Sequence, residues 1–466
     1  MPGSCLGKGI LSGVVERMKN WVIADREQLM MLPPSIDDLV PDDHLARFVV
    51  DVVDQIDLAP IMQKYERRGR GSRPYHPSML LALLFYGYAT GTMSSRKIER
   101  ACHFDLAFRF VAGGHAPDHD TIATFRRRHL PAISALFVQI LQMARELGIL
   151  KVGTIAIDGT KIRANASKHA AVSYKRAKEI EKKLRAEVEK LMRLAEEADN
   201  TPLAEGVSIP AEIARREERI AKLQAAQRAI ELRHAEEALE EYQEKIDKGL
   251  EKTKAAVDEG KRIPKPPEPP GLEPPDKAQH NFTDSDSRIM PDKGSFSQSY
   301  NAQACVDVAT MLIIGQHISQ RPNDKKELLT AIESIHEQVG KPTDAIADAG
   351  YFSEENITKC PVRSLIAPGK TRHSLPLEER VFAPKPATLD ESASPAEKMR
   401  QRLATEEGRA LYRLRKMTVE PAFGIIKSAL GLRQFLLRGA EKVRNEWALV
   451  CLGYNLKRMW SLGKAS

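Results

Sequence analysis

The chain is 466 residues long, 42% hydrophobic and 29% charged, with a net charge of +8, which suits a soluble protein of two or three domains with a sizeable core. Its longest apolar run, residues 79–89, is too short to span a bilayer, so no membrane role is expected, and no secretory leader is legible. Five cysteines without a CxxC pair exclude a zinc ribbon and a disulfide framework and fit a reducing cytoplasm.

In chain order, residues 1–150 read as helical. Residues 76–91 form an apolar helix closing on Gly91, and 94–104 a serine-capped helix. Residues 117–130 open with Pro117 and acids and end with Arg126, Arg127, Arg128 and His129, the charge order a helix dipole favours. A further helix follows over 133–148. Short helices with basic ends predict a DNA-binding module, with residues 64–76 and Arg126, Arg127 and Arg128 as phosphate contacts; a structural helical cap is the alternative. His115, Asp118, His119 and Asp120 are read as helix-start residues rather than a metal site.

Residues 169–280 change character. Apolar residues recur at three- and four-residue steps (Ile180, Leu184, Val188, Leu191, then Ile220, Leu223, Ile230, Leu239) with a break at 199–210. This predicts an antiparallel coiled-coil hairpin that projects from the catalytic core toward a partner subunit or DNA. Residues 264–275 hold seven prolines and read as a stiff linker. Sheet-like sequence stops before this stretch and resumes after it, so it is taken as an insertion.

Residues 299–319 predict two strands turning near Ala309 and Thr310. A capped helix over 323–340, a strand and helix over 343–357, and a strand over 363–368 follow. A long basic helix reaches about Leu430, and an apolar-faced helix spans 441–460. From Arg409 onward 12 Lys and Arg face 3 acids, a net of +9. Charge gathered in this way predicts a polyanion partner; a solubilising surface is the alternative.

Residues 155–165, IAIDGTKIRAN, raise the central chemical question. A β-branched run heading for a core ends in Asp158, where an uncompensated charge is costly. The element order suits an α/β fold of the RNase H-like kind: a mixed sheet with flanking helices. It is preceded by the all-α N-terminal part and interrupted by the insertion. In it, Asp158 ends the first strand and Asp348 the fourth, side by side at the sheet edge where α/β proteins place their sites. Glu420, the only acid between Gly408 and Glu441, is the third candidate, on a helix crossing that edge. Three such carboxylates suit phosphodiester chemistry with two Mg²⁺ ions, Mn²⁺ substituting. Each acid has a plainer reading as a turn or surface residue. Asp307 competes from its strand, and Asp284 and Asp286 are read as loop or DNA-end contacts.

At this point the chain resembles the DDE-type insertion-sequence transposases, most closely the group numbered eleven-eighty-two. The resemblance rests on residues 76–129, on AIDGTKIRANASKH (156–169), on ADAGYFSEENI (347–357) and on VEPAFGIIK (419–427). It implies that Asp158, Asp348 and Glu420 form the catalytic and metal-holding triad, and that Lys161 and Asn165 touch DNA. Related enzymes carry Tyr-x2-Arg-x3-Glu-x6-Lys. Glu420 and Lys427 fit it, two turns apart on one helix face, but Lys416 holds the arginine position and Arg413 the tyrosine position, with Tyr412 one place early; Arg415, Lys416 and Lys427 are expected against DNA. Arg415 can serve in place of Lys416.

The domains implied are a helical DNA-binding part over 1–150, a catalytic domain from 151–168 and 281–466, and the coiled-coil insertion with its linker over 169–280. The expected activity is binding of terminal inverted repeats, cleavage at the ends and joining of 3′-hydroxyls to target DNA. A homodimer or higher oligomer on DNA, in the cytoplasm and at the nucleoid, is the expected setting. The alternatives are an RNase H-like nuclease without strand transfer and a non-catalytic DNA-binding protein on the same fold.

Overall fold

The computed structural model describes residues 35–63, 74–198, 208–258, 260, 262–263, 265–292, 294–369 and 393–464. Most of the basic stretch 64–76 and of the break at 199–210 lies outside them. No helix among the described residues is long and apolar enough to cross a membrane.

The N-terminal helices are α1 (Leu45–Gln55), α2 (Ala59–Met62), α3 (Pro77–Thr90), α4 (Ser95–Phe104), α5 (Leu106–Val111) and α6 (His119–Glu146). Helix α3 is apolar on all sides, with Leu80 to Ala89 all buried, which makes it a central helix rather than a surface one. It ends on Gly91 in the left-handed region (φ +83), where a Cβ would stand 2.9 Å from the Leu430 carbonyl oxygen. That position therefore requires glycine twice over. Asp118 caps α6 by accepting from the Thr121 amide at 2.8 Å, and His119 pairs with Glu99. The expected break between 130 and 133 does not occur. Pro131 lies inside α6, and the lost hydrogen bond is outweighed by burial of Leu130, Ile133, Leu136 and Phe137 on one face.

The sheet is mixed. Its order is β4 (Arg288–Asp292), β5 (Ser295–Asp307), β1 (Thr154–Arg163), β7 (Asp344–Ala347), β8 (Arg363–Ile366), with β6 (Ile313–Ser319) also on β5. The ladders from β1 to β7 and from β7 to β8 are parallel; the others are antiparallel. Helix α13 (Ala440–Gly463) packs beneath the sheet and against α3. A Cβ on Gly453 would meet the Tyr88 backbone at 2.8 Å. One apolar core thus runs from the N-terminal helices through the sheet to α13. The expected helix over 323–340 is shorter: only α9 (Leu328–Glu333) forms.

The insertion has its own small core of Val172, Ala177, Leu184, Val188, Ile220, Leu223 and Ala226. Helices α7 (Tyr174–Ala198) and α8 (Ile209–Asp258) run antiparallel, as Glu187 with Arg216, Glu181 with Gln224 and Tyr174 with Glu231 require. A two-stranded pair, β2 (Ala171–Ser173) with β3 (Gln279–Asn281), clasps its base. The hairpin does not stand clear of the sheet and its helices. At 50 residues, α8 outruns α7, and its second half lies on the core through Glu240 with Arg321, Glu244 with Lys326 and Lys248 with Glu355. A heptad-like stripe shows that a helix has an apolar face; it does not show which neighbour the rest of its length meets.

Candidate active site

Asp158 is not at the end of its strand. β1 continues to Arg163 along β5, but its parallel ladder with β7 stops at the pair Ile157 and Ala347. Beyond that pair β1 loses one neighbour, and Asp158 and the residue after Ala347, Asp348, stand next to each other at the opening. Asp348 then starts a turn, its Oδ1 accepting from the Gly350 amide at 2.7 Å. Asp158 accepts from the Gly159 amide at 2.8 Å.

Helix α12 (Glu406–Gly424) crosses this opening, its Val419, Ala422 and Phe423 buried against the core. It carries Arg415, whose guanidinium lies 3.7 Å from Asp158 and 3.5 Å from Glu420. Lys416, one residue on, is exposed. The helical phase decides between them: only one of two adjacent residues can face the strand ends. Arg415 is largely buried, whereas the Glu420 side chain is 52% exposed. Tyr412 joins the cluster; burial pushes its hydroxyl upward and the Arg415 guanidinium beside it pulls it back.

Burial lifts the Asp158 carboxyl to about 7. The Gly159 amide opposes this, Asp348 adds to it, Arg415 opposes it, and Asp324 adds to it. Asp158 is therefore a charge for which the fold supplies incomplete compensation. That is the donor chemistry a hard divalent cation fits, and Asp158 and Asp348 bring two carboxylates side by side. Glu420 does not join them: among the described residues no group of three or more His, Cys, Asp or Glu is gathered closely enough to hold a metal ion. Arg415 stands where convergence would occur.

Behind Asp158, on the other side of β1, lies a polar network that sequence reasoning missed. Gly159 faces Gln303 and Lys161 faces Asn301 across the ladder. Asp324 Oδ1 accepts from Asn301 Nδ2 and Gln303 Nε2, both at 2.7 Å, and meets Lys161 Nζ at 3.6 Å. The buried Tyr351 hydroxyl donates to Gln303 Oε1. A Cβ on Gly159 would stand 2.1 Å from Gln303 Nε2, so the Asp-Gly pair was the available signal. Its glycine makes room for this network.

Several expected DNA contacts are committed elsewhere. Arg126 is buried and donates to the Tyr88 hydroxyl at 3.2 Å and the Met93 carbonyl at 3.0 Å, so it holds helices together and is not a phosphate contact. Arg127 and Arg128 are exposed. Asn165 donates to the Leu436 carbonyl at 2.8 Å and its own carbonyl accepts from Arg438, which ties the end of β1 to residues after α12. Lys427 donates to the Lys161 carbonyl at 3.0 Å. It does not continue a straight helix from Glu420, because α12 gives way to a π-turn at Ile425–Ala429 just after Pro421. Asp307 caps the β5–β6 turn through the Thr310 amide and hydroxyl. Asp284 and Asp286 serve the start of α13, through the Gly439 amide at 3.2 Å and the Ala440 amide at 2.9 Å.

Residues 34–128 match a family model described as a transposase domain (DUF772), and residues 351–460 match one described as a transposase DDE domain. The second match includes Arg415, Glu420 and Lys427 and starts three residues after Asp348. No curated protein and no solved structure matches the chain. Together the two family matches support a DDE-type transposase.

Proposed function

We propose that the chain binds the terminal inverted repeats of an insertion sequence, of the group numbered eleven-eighty-two, and moves that element by cleavage and strand transfer. The fold is then RNase H-like, with a helical DNA-binding part over 1–150 and a catalytic domain from 151–168 and 281–466 around the inserted hairpin. The reading rests on one observation above the others: Asp158 and Asp348 meet where the parallel ladder opens, beneath the helix that carries Arg415 and Glu420.

Asp158 and Asp348 would hold a divalent cation, Mg²⁺ in our reading and two ions with Glu420 recruited. When bound, it supplies positive charge against the phosphate oxygens. Arg415 is the switch in the protein's own chemistry. It lies against Asp158 and Glu420; turned from them, it can face the phosphate, with which its planar fork pairs bidentately. Glu420 is then free to face the same opening. In the first reaction a water oxygen bonds to phosphorus and the bond to the 3′-oxygen breaks, leaving a 3′-hydroxyl and a 5′-phosphate. In the second that 3′-hydroxyl attacks a target phosphodiester and displaces its 3′-oxygen. Asp158, with a proton affinity near neutrality, suits exchange of the nucleophile's proton.

The test uses the full chain, a labelled duplex carrying the DNA that flanks the coding region, and Mg²⁺ or Mn²⁺. Nicking at the element boundary and joining of a pre-cut end to a second duplex are expected. Asp158→Asn and Glu420→Gln should lose at least a hundredfold in nicking while retaining binding. Normal nicking by Glu420→Gln would remove that residue from the site. Hydrolysis without joining would favour a nuclease, and binding without metal-dependent nicking a non-catalytic DNA-binding protein.

A further inference from the structure

A second concentration of charge lies away from Asp158, where α8 passes the outer strand β4. Arg233 of α8 and Arg288 of β4 line a cleft of about 860 Å³. Arg288 spends one nitrogen on the Ser285 and Ser287 carbonyls at 2.9 and 3.0 Å, and Arg233 spends one on the Gln279 carbonyl at 2.9 Å. Each guanidinium keeps further N–H donors. Among the described residues neither forms an ion pair with a carboxylate. Burial first, and Arg233 next, push Arg288 down to about 10. Burial with these two arginines also lowers His280 beside them.

The acids near this cleft do not resolve the repulsion. Glu237 draws both guanidiniums upward and Asp286 draws Arg288 upward, neither reaching ion-pair distance, and Asp286 accepts from the Ala440 amide. Glu240 is taken by Arg321, and Glu327 by His317 at 2.8 Å and Ser319 at 2.7 Å. Glu236 and Glu241 are exposed at the rim, as are Lys277, Lys325 and Arg444. Two half-buried like charges with unused donors are complete only with an anion between them. Lys277, Lys325 and Arg444 add further cations to the same cleft, which suits a polyanion better than a single anion.

We propose that this cleft is a second nucleic-acid site, in which Arg233 and Arg288 clamp a backbone phosphate between the inserted hairpin and the edge of the sheet. This rests on the DNA-transposase reading but uses none of the catalytic acids. The insertion then grips DNA from the part of α8 that lies on the core, and not from its projecting tip.

The experiment measures binding of the full chain to a short duplex of arbitrary sequence by fluorescence anisotropy, across a salt series. Arg233→Gln with Arg288→Gln should weaken binding at least tenfold and lower the log-log salt slope by about one, for the one phosphate the pair neutralises. In the unaltered chain, the same duplex should protect both arginines from a dicarbonyl reagent, read by peptide mass; this arm stands even if the double variant fails to fold. Equal affinity and slope in the folded variant, or no protection, overturns the clamp and leaves the transposase reading standing. Stabilisation of the chain by millimolar inorganic phosphate, with no duplex protection, overturns the DNA assignment in favour of a small anion. No duplex binding by the unaltered chain at any salt overturns both readings.

Discussion

Two groups of buried acids differ in what satisfies them. Near the start of α13, Asp284 accepts from the Tyr300 hydroxyl at 2.9 Å as well as from Gly439, Asp286 accepts from Ala440, and Glu446 accepts from the Leu436 and Leu437 amides at 3.0 and 2.9 Å. Each of these has donors fixed by the fold, so each holds the fold together. Asp158 has one backbone donor, a second acid beside it and an arginine at 3.7 Å. The contrast separates architecture from chemistry: both groups are buried or half-buried carboxylates, and burial pushes Glu446 upward as it does Asp158, but only Asp158 has a second acid beside it at an opening in the sheet.

The largest effect expected from this contrast is structural. Glu446→Ala takes the acceptor from the Leu436 and Leu437 amides and empties a fully buried side-chain site, and should cost about 3 to 5 kcal/mol in urea unfolding. A cost below about 1 kcal/mol would erase the distinction.

Next comes Asp158→Asn, with the opposite sign. The folded chain titrates Asp158 near 7 against an ordinary value of 3.8. Between about pH 7 and pH 4 it therefore takes up a proton that the unfolded chain does not, and gains stability as the pH falls. Above 7 the buried charge is a liability. Without divalent cation, the asparagine variant should be more stable than the native chain at pH 8 by on the order of 3 kcal/mol, and equal to it near pH 4. Melts at the two pH values measure this. A variant that is less stable at pH 8 would move Asp158 into the satisfied group.

The smallest effects separate Arg415 from Lys416. Arg415→Ala removes the charge that restrains Asp158, so the pH window just described should move upward and DNA cleavage should fall by at least tenfold. Lys416→Ala, on an exposed side chain, should change stability by less than about 0.5 kcal/mol and leave the window in place.

Much of the mixed sheet was legible before any coordinates. The β-branched run before Asp158, the turn residues around Asp348 and the capped helix start at Ser353 predict their elements by periodicity and local chemistry. β4 was not legible, because its sequence, RIMPD, is too short to show a period and holds a proline that only an edge strand tolerates. The burial of Arg126 was hidden in a run of three arginines, where composition speaks for a solvated face and the helical phase for one buried member. Neither the choice of Arg415 over Lys416 nor the placement of α8 on the core follows from spacing, because both depend on which surface the chain brings opposite. In the candidate site, the identity of the acids was written locally. Their satisfaction was not, since the cation that faces Asp158 is Arg415, remote along the chain, while its one hydrogen-bond donor is the neighbouring Gly159 amide.

The clasp at the base of the insertion bears on how the sheet is assembled. β1 must wait for β5, and the whole inserted segment is synthesised between them. Ala171 and Asn281 face each other in the β2–β3 pair, so a hairpin that folds by itself draws its two ends together. The chain then has only a short loop left to close before Asp158 can find its place opposite Ala304. Closing a loop several times shorter saves on the order of 1 kcal/mol of chain entropy. The sheet's central pairing, remote along the chain, thereby becomes nearly local in time, and the apolar strand that leads to Asp158 spends less of the folding process uncovered.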